Sequence, residues 1–227
     1  MTTDRTSSDD HSETRRGLVW VTGATGLIGS YLLKTAAEMV PAWTVRGLSR
    51  AQVDLTDPHA VATAFRADQP RRVIHCAALS RSPDCQADPA KARGINIDAT
   101  ARLAELAAEI PFLFFSSDLV FDGEKGNYLE SDPVNPRSVY AETKAEAERI
   151  VSAHPKHVII RTSLNGGISP AGHRCFSEEM RDAWAAGRMA RLFTDEYRSP
   201  LPAVVTARAV WELAAQDRPG LYHLGGK

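Results

Sequence analysis

A tyrosine and a lysine stand four residues apart in the segment RSVYAETKAEAERI, as Tyr140 and Lys144. The segment has the apolar spacing of an amphipathic helix, in which residues four apart share one face. A phenol and an ammonium that point into one pocket can hold and transfer a proton, because the positive charge stabilises the phenolate. With five tyrosines and six lysines in 227 residues, this spacing arises by chance with odds of about one in eight. Other residues must therefore support the pair.

Two serines and an aspartate, Ser116, Ser117 and Asp118, end an apolar run in the segment PFLFFSSDLVF. They follow directly after a predicted buried strand, and ligands of open parallel sheets bind beyond the carboxyl ends of the strands. A hydroxyl at this place could meet the face that carries Tyr140 and Lys144. The alternative for Ser117 is a serine that only caps the end of the strand.

A glycine-rich stretch, VTGATGLIGSYL, joins the first apolar strand to a helical pattern and places Gly23, Gly26 and Gly29 three residues apart. In such a turn the first glycine permits a tight bend, the second lets the backbone approach a pyrophosphate, and the third lets the helix pack closely on the sheet. The helix N-terminus adds free N–H groups and a positive dipole. The stretch predicts a dinucleotide-binding loop, with a ligand-free glycine turn as the alternative.

The residues after the next two strands bear on the choice of dinucleotide. GLSRAQ carries Arg50 where NAD-preferring sites often have an acid, so NADP(H) is favoured, NAD(H) stays open, and a surface arginine is the alternative. Asp54 could bind the adenine amino group or begin a helix. The small Ala77 and Ala78 leave room for a cofactor, and His75 is interpreted as a hydrogen-bonded core histidine. The predicted cofactor contacts are Gly23, Thr25, Gly26, Leu27, Ile28, Gly29, Arg50, Asp54, Leu55, Cys76, Ala77, Ala78, Tyr140 and Lys144.

Strands and helices alternate along the chain from Leu18 onward, and the strands are nearly continuous apolar runs. This pattern is typical of a parallel sheet covered by helices on both faces, so we predict the α/β class with a Rossmann-type doubly wound sheet. Asp57 is the predicted N-cap of a helix whose first residue is Pro58. After Ser163 the alternation is replaced by a loop, a helix and a polar segment, which indicates a second, smaller unit.

The composition excludes several classes of protein. A net charge of −1 favours neither nucleic acid nor an anionic membrane as a partner. The first sixteen residues are polar and resemble neither a signal peptide nor a membrane anchor, and no apolar run approaches the roughly 20 residues of a membrane helix. The three cysteines show neither disulfide-framework nor zinc spacing, so we predict no metal and a cytoplasmic location.

The chain resembles the extended short-chain dehydrogenase/reductase superfamily, and more narrowly the RmlD-like family of dTDP-4-dehydrorhamnose reductases. The matching segments are VTGATGLIGSYL, VIHCAAL, FFSSDLVFDG, SVYAETKAEAE, VIIRTSLNGG, FTDEYRSPL and GLYHLGG. The resemblance implies that Ser117, Tyr140 and Lys144 are the catalytic set. Tyr140 would give a proton to the developing alkoxide, Lys144 would lower the pKa of that phenol and hold the nicotinamide ribose, and Ser117 would orient the substrate carbonyl.

The activity implied by the resemblance is NADP(H)-dependent reduction of a 4-keto sugar nucleotide or a related carbonyl. The implied organisation is a disordered tail at 1–16, an NAD(P)-binding Rossmann domain at 17–163 and a substrate-binding lobe at 164–227, from which a helix and a strand return to the core. Arg198 in DEYRSP would bind an anionic part of the substrate, with a surface or interface arginine as the alternative. Ser117 and Asn165 are the other predicted substrate contacts.

Two other functions remain open. Similar scaffolds support sugar-nucleotide epimerases and dehydratases, which need further acid and base residues that the sequence does not reveal. The resemblance also extends to the regulatory β-subunit of methionine adenosyltransferase, which binds NADP without being the catalyst. Dimers are common among similar proteins, so a homodimer is an expectation.

Overall fold

The structure, a computed structural model, describes residues 17–170, 172 and 175–226. The predicted disordered tail lies outside this part of the chain. The described strands are β1 Leu18–Thr22, β2 Thr44–Leu48, β3 Arg72–His75, β4 Phe112–Ser117, β5 Val158–Thr162, β6 Asn165–Gly166, β7 Leu201–Pro202 and β8 Gly220–Leu224.

Six of these strands form one sheet in the order β2-β1-β3-β4-β5-β8, and all neighbouring pairs are parallel. The chain runs outward from β1 to β2 and then crosses back to β3, so the winding direction reverses between β1 and β3. Such a reversal leaves a crevice at the carboxyl ends of the two strands, where ligands of open α/β sheets bind. The short strands β6 and β7 form a separate parallel pair.

Helices cover both faces of the main sheet. The described helices are α1 Leu27–Met39, α2 Pro58–Asp68, α3 Ser82–Ala87, α4 Pro89–Arg93, α5 Ala99–Leu106, α6 Val139–Val151, α7 Phe176–Ala185 and α8 Ala203–Gln216. A π-helical turn, Gly94–Asp98, joins α4 to α5, and a 3₁₀ turn, Asp118–Val120, follows β4. None of the helices in the described ranges is long and apolar enough to cross a membrane.

The sheet separates two apolar cores. Alternate residues of β1 face opposite sides, so that Val19 and Val21 lie in one core and Trp20 in the other. The first core is completed by α1 and α8, where the buried indole of Trp211 donates a hydrogen bond to the carbonyl oxygen of Leu32 at 3.1 Å. This arrangement confirms the predicted doubly wound α/β fold.

Local signals in the sequence explain individual helix ends. The carboxylate of Asp57 accepts hydrogen bonds from the backbone N–H groups of His59 and Ala60 at 2.9 and 3.1 Å, which confirms it as the N-cap of α2. Pro58 occupies the first helical position, where its missing N–H costs nothing. The π-helical turn Gly94–Asp98 leads directly into α5.

Candidate active site

A cavity of about 820 Å³ opens at the carboxyl ends of the central strands. Its wall includes the turn after β1, the segments after β2 and β3, the end of β4, the start of α6 and part of the chain after β5. Every residue that the sequence predicted to contact cofactor or substrate lines this one cavity, including Ser117, Tyr140, Lys144, Asn165 and Arg198. The parallel sheet therefore brings together groups that are up to 175 residues apart, from Gly23 to Arg198.

The glycine turn leaves no space for side chains. Gly23 has φ of +67°, and a Cβ atom on Gly29 would lie 2.3 Å from the carbonyl oxygen of Gly23. A Cβ atom on Gly23 would meet the backbone nitrogen of Ala77 at 2.8 Å. Helix α1 begins at this turn, and its N-cap, Gly26, offers no side-chain cap to the first N–H groups. A pyrophosphate fits this cradle, because the backbone is bare and the N–H groups are available to an anion.

At the far end of the cavity, Arg50 and Asp54 form a loose ion pair. The Nε of Arg50 lies 3.3 Å from Oδ2 of Asp54, and 74% of the arginine side chain is exposed. Oδ1 of Asp54 accepts hydrogen bonds from the hydroxyl and the N–H of Thr56 at 2.7 and 2.9 Å. These bonds and the nearby Arg50 hold the pKa of the Asp54 carboxyl below its usual range. The guanidinium of Arg50 is therefore accessible to a ligand phosphate, while Asp54 stays ionised.

Ser117 and Tyr140 meet at the end of β4. The Ser117 hydroxyl accepts a hydrogen bond from the N–H of Leu119 at 3.2 Å and donates one to Oδ1 of Asp118 at 3.2 Å. Burial raises the pKa of Tyr140 to about 12, while a hydrogen bond with Ser117 acts in the opposite direction. The two hydroxyl groups that the sequence predicted to act on one carbonyl thus lie in the same part of the cavity.

Lys144 lies one helical turn beyond Tyr140 and is buried. Its Nζ sits 4.0 Å from the centroid of the Phe114 ring, and burial lowers the pKa of the ammonium to about 7. The pKa of Tyr140 is raised overall in this structure, and the lowering contribution of Lys144 stays a prediction. The reason for the rise is that burial penalises the phenolate, and Asp118 and Arg198 are the charged groups beside the phenol.

The two predicted substrate residues of the C-terminal part are already hydrogen-bonded within the protein. Arg198 donates to both carboxylate oxygens of Asp118, at 2.8 and 2.7 Å, and to Glu196 at 2.9 Å. The amide nitrogen of Asn165 donates to the Thr162 hydroxyl and to the Ser163 carbonyl, both at 3.0 Å. Arg198 is therefore a cation paired with carboxylates in the cavity wall, and its contact with an anionic part of the substrate stays a prediction.

Comparison with known proteins places the chain in a family. A family model described as the RmlD substrate binding domain matches residues 17–227. This chain belongs to the RmlD family. It is 32% identical over 222 residues to the probable low-salt glycan biosynthesis reductase Agl14 of Haloferax volcanii, a match that covers 92% of this chain and 74% of that protein.

Two further relatives of this RmlD family member carry the names of different classes of protein, a reductase and a subunit of a transferase. The structure of a dTDP-4-dehydrorhamnose reductase from Clostridium acetobutylicum matches with a TM-score of 0.85 and 29% identity, over 92% of this chain and 74% of that one. Methionine adenosyltransferase 2 subunit beta from Bos taurus is 38% identical over 140 residues, which are 59% of this chain and 42% of that protein. The resemblance seen in the sequence segments is confirmed.

Asn96, which the sequence did not single out, supports the site from outside the cavity lining. Asn96 is fully buried in the π-helical turn, and its amide exchanges two hydrogen bonds with the backbone of Leu79, at 2.8 and 3.1 Å. Its Nδ2 also donates to the hydroxyl of Thr143 on α6 at 3.0 Å. Asn96 thus ties the segment after β3 to the helix that carries Tyr140 and Lys144. The sequence signal that could have revealed this residue is a polar asparagine two residues after Gly94, within an otherwise regular helical pattern.

Ser116 was named from the sequence without a role of its own. Its hydroxyl is buried, lines the cavity and has no hydrogen-bond partner among the described residues. An unpaired buried hydroxyl is costly unless a ligand or water completes it, so Ser116 is suited to contact a molecule in the cavity.

His75 has the structural role that the sequence suggested. Its two ring nitrogens lie 2.7 Å from the Thr22 hydroxyl and 3.0 Å from the Thr100 hydroxyl. Burial lowers the pKa of the imidazole to about 3, so it is neutral at physiological pH. The described residues also contain no group of three or more His, Cys, Asp and Glu side chains that could hold a metal ion.

Proposed function

We propose that this protein is an NADP(H)-dependent reductase of a 4-keto sugar nucleotide or a related carbonyl. The observation that carries the proposal is the meeting of Ser117, Tyr140 and Lys144 in the same cavity as the glycine cradle of α1. The names of Agl14 and of the Clostridium acetobutylicum enzyme, both reductases, support the same class of reaction.

The nicotinamide supplies the hydride, and the protein must bind the carbonyl and deliver a proton. The N–H of Leu119 holds the oxygen of Ser117 in place, and its proton, donated to Asp118 in this structure, could turn to a carbonyl oxygen beside it. Tyr140 stays protonated at neutral pH because its pKa is raised to about 12. It therefore enters the reaction as the acid, and its proton passes to the oxygen as negative charge develops there. Lys144 lies one turn away in the same cavity, and its protonated form would favour the phenolate that remains.

The cofactor preference is part of the proposal. The accessible guanidinium of Arg50 favours the 2′-phosphate of NADP(H), because arginine binds phosphate with paired N–H donors. NAD(H) is the alternative cofactor. The free thiols of Cys76, Cys85 and Cys175 fit a reducing compartment, which supports a cytoplasmic location.

The decisive experiment follows NADPH oxidation with a panel of 4-keto sugar nucleotides. We expect turnover by the wild type and a kcat lowered about 100- to 10,000-fold in Tyr140→Phe, because the proton donor is lost. Tyr222→Phe is the matched control, since the Tyr222 hydroxyl bonds the Arg218 carbonyl and lies outside the cavity. Repeating the assay with NADH tests the cofactor preference. Equal activity of Tyr140→Phe and wild type would refute the proposed mechanism.

A second function has one observation in its favour. The 38% identity to methionine adenosyltransferase 2 subunit beta supports a role as an NADP-binding subunit of another enzyme. That function predicts tight NADP binding, no oxidation of NADPH with any keto sugar, and a co-purifying enzyme. An epimerase or dehydratase is distinguished in the same assay, because it returns the hydride to its substrate and consumes no net NADPH.

A further inference from the structure

We propose that Arg198 is a positioning residue that acts through Asp118 on the Ser117 hydroxyl, and that the C-terminal part of the chain thereby completes the catalytic arrangement. This inference rests on the proposed reductase function. It differs from the expectation that Arg198 binds an anionic part of the substrate.

The Arg198–Asp118 pair is a two-pronged contact between distant parts of the chain. Nε and Nη2 of Arg198 each donate to one carboxylate oxygen of Asp118, at 2.8 and 2.7 Å, across 80 residues of sequence. The side chains are 17% and 30% exposed, so solvent screens the pair only partly. Charge-assisted bonds in this fork geometry fix orientation as well as distance. The carboxylate of Asp118 is therefore held in one direction.

Asp118 transmits this orientation to Ser117. Oδ1 of Asp118 accepts a hydrogen bond from the Ser117 hydroxyl at 3.2 Å and from Nη2 of Arg198 at 2.7 Å. The shorter, charge-assisted bond from Arg198 competes with the serine for that oxygen, so the serine proton is held less strongly. The Ser117 hydroxyl can then turn toward a substrate carbonyl. Without Arg198, an uncompensated carboxylate would retain the serine proton.

The same two charges act on Tyr140. The negative charge of Asp118 raises the pKa of the phenol, and the positive charge of Arg198 lowers it. Removing Arg198 alone would leave the unfavourable charge beside the phenolate that forms during the reaction. Removing both charges would remove their two opposing effects on the pKa of Tyr140 together.

The charges around Arg198 argue against a phosphate-binding role. Each of its three guanidinium nitrogens donates to a carboxylate, two to Asp118 and one, at 2.9 Å, to Glu196. One positive and two negative charges leave this cluster with a net charge of −1. A substrate diphosphate would have to displace one carboxylate and approach the other against electrostatic repulsion.

The test is a double-variant comparison with separate kcat and KM values. We expect Arg198→Met to lower kcat about tenfold with a KM for the keto sugar nucleotide within about threefold of wild type, because only transition-state contacts are weakened. Asp118→Asn added to Arg198→Met should restore most of the lost kcat, since no uncompensated charge remains. Arg208→Met, which removes an exposed arginine paired with Glu38, is the control and should match wild type.

Two results would contradict a positioning role for Arg198 or the function on which it rests. A KM raised more than about tenfold in Arg198→Met with little change in kcat, and no recovery in the double variant, would show that Arg198 binds the substrate and would overturn the inference. If Arg198→Met does not fold, Arg198→Lys keeps the charge without the fork and should lower kcat while keeping the KM for the keto sugar nucleotide, whereas a raised KM with unchanged kcat would again overturn the inference. Absence of turnover in the wild type refutes the proposed function itself, so the two failures are distinguishable.

Discussion

Lys144 occupies a position proposed for catalysis, and the burial of its ammonium there lowers the stability of the fold. Its ammonium is buried beside the Phe114 ring, and burial lowers its pKa to about 7, although Glu148 one turn further along α6 acts to raise it. A lysine that must give up hydration to reach its position destabilises the fold in its charged form. Replacing Lys144 should therefore affect activity and stability in opposite directions.

We expect Lys144→Met to abolish turnover while stabilising the fold at and below neutral pH. The folded-state pKa of about 7 lies below the ordinary value of 10.5, so the unfolded chain binds more protons between these values. The wild type should therefore gain about 2 kcal/mol of unfolding free energy from about pH 7 to about pH 9 through this group. Urea unfolding at both pH values measures the gain, which the Met variant should lack.

Lys156→Met is the control for this prediction, because Lys156 is an exposed lysine paired with Glu109. Its variant should keep the pH dependence of the wild type. A Lys144→Met protein with the same pH dependence as wild type would show that the ammonium is not destabilised by burial.

Helix α6 is anchored to the sheet by a buried ion pair one turn beyond Lys144. The Nε and Nη2 of Arg161 on β5 donate to the carboxylate of Glu148, with shortest distances of 3.0 and 2.7 Å. The two side chains are 6% and 7% exposed, and the Phe121 ring lies 4.9 Å from the guanidinium. The pair therefore fixes the rotation of α6, and with it the direction of Tyr140 and Lys144.

Breaking this pair from one side should destabilise the protein more than replacing it entirely. Arg161→Met leaves the Glu148 carboxylate buried without its partner, and we expect a loss of about 3–5 kcal/mol in the unfolding free energy. Adding Glu148→Leu removes the isolated charge and should recover most of that loss. Urea unfolding of the single and double variants measures both values. Losses that simply add would indicate that the two charges are not coupled.

The sequence was most informative where the signal is local. The βα alternation, the Asp57 cap and the glycine turn each depend on neighbouring residues, and all three appear in the structure as expected. The π-helical turn around Asn96 could not be predicted, because its apolar pattern continues that of an ordinary helix. The pairing of Arg198 with Asp118 was also hidden, since it depends on how the chain after β5 folds back over the end of β4.

At the scale of the whole molecule, the core that contains Phe112 packs against two buried groups that titrate. His75 and His157 both pack against Phe112, with ring centroids 5.7 and 5.2 Å away. Burial lowers the pKa of both histidines, to about 3 for His75. Both histidines are held neutral in the folded state. Because they lie in the core, their protonation favours unfolding of the whole domain and not the opening of a single loop.

We expect the protein to lose stability as the pH falls below about 6.5, the ordinary pKa of histidine in the unfolded chain. The unfolded state then binds protons that the folded state excludes, and His75 alone should lower the unfolding free energy by about 2 kcal/mol from pH 7 to pH 5. Urea midpoints at the two pH values measure this change.

His75→Gln should be less stable than the wild type at neutral pH, because the contacts with Thr22 and Thr100 are altered, but its unfolding free energy should fall less on acidification. His59→Gln, at an exposed position, should retain the wild-type pH dependence. An unchanged pH dependence in His75→Gln would mean that other groups cause the acid sensitivity.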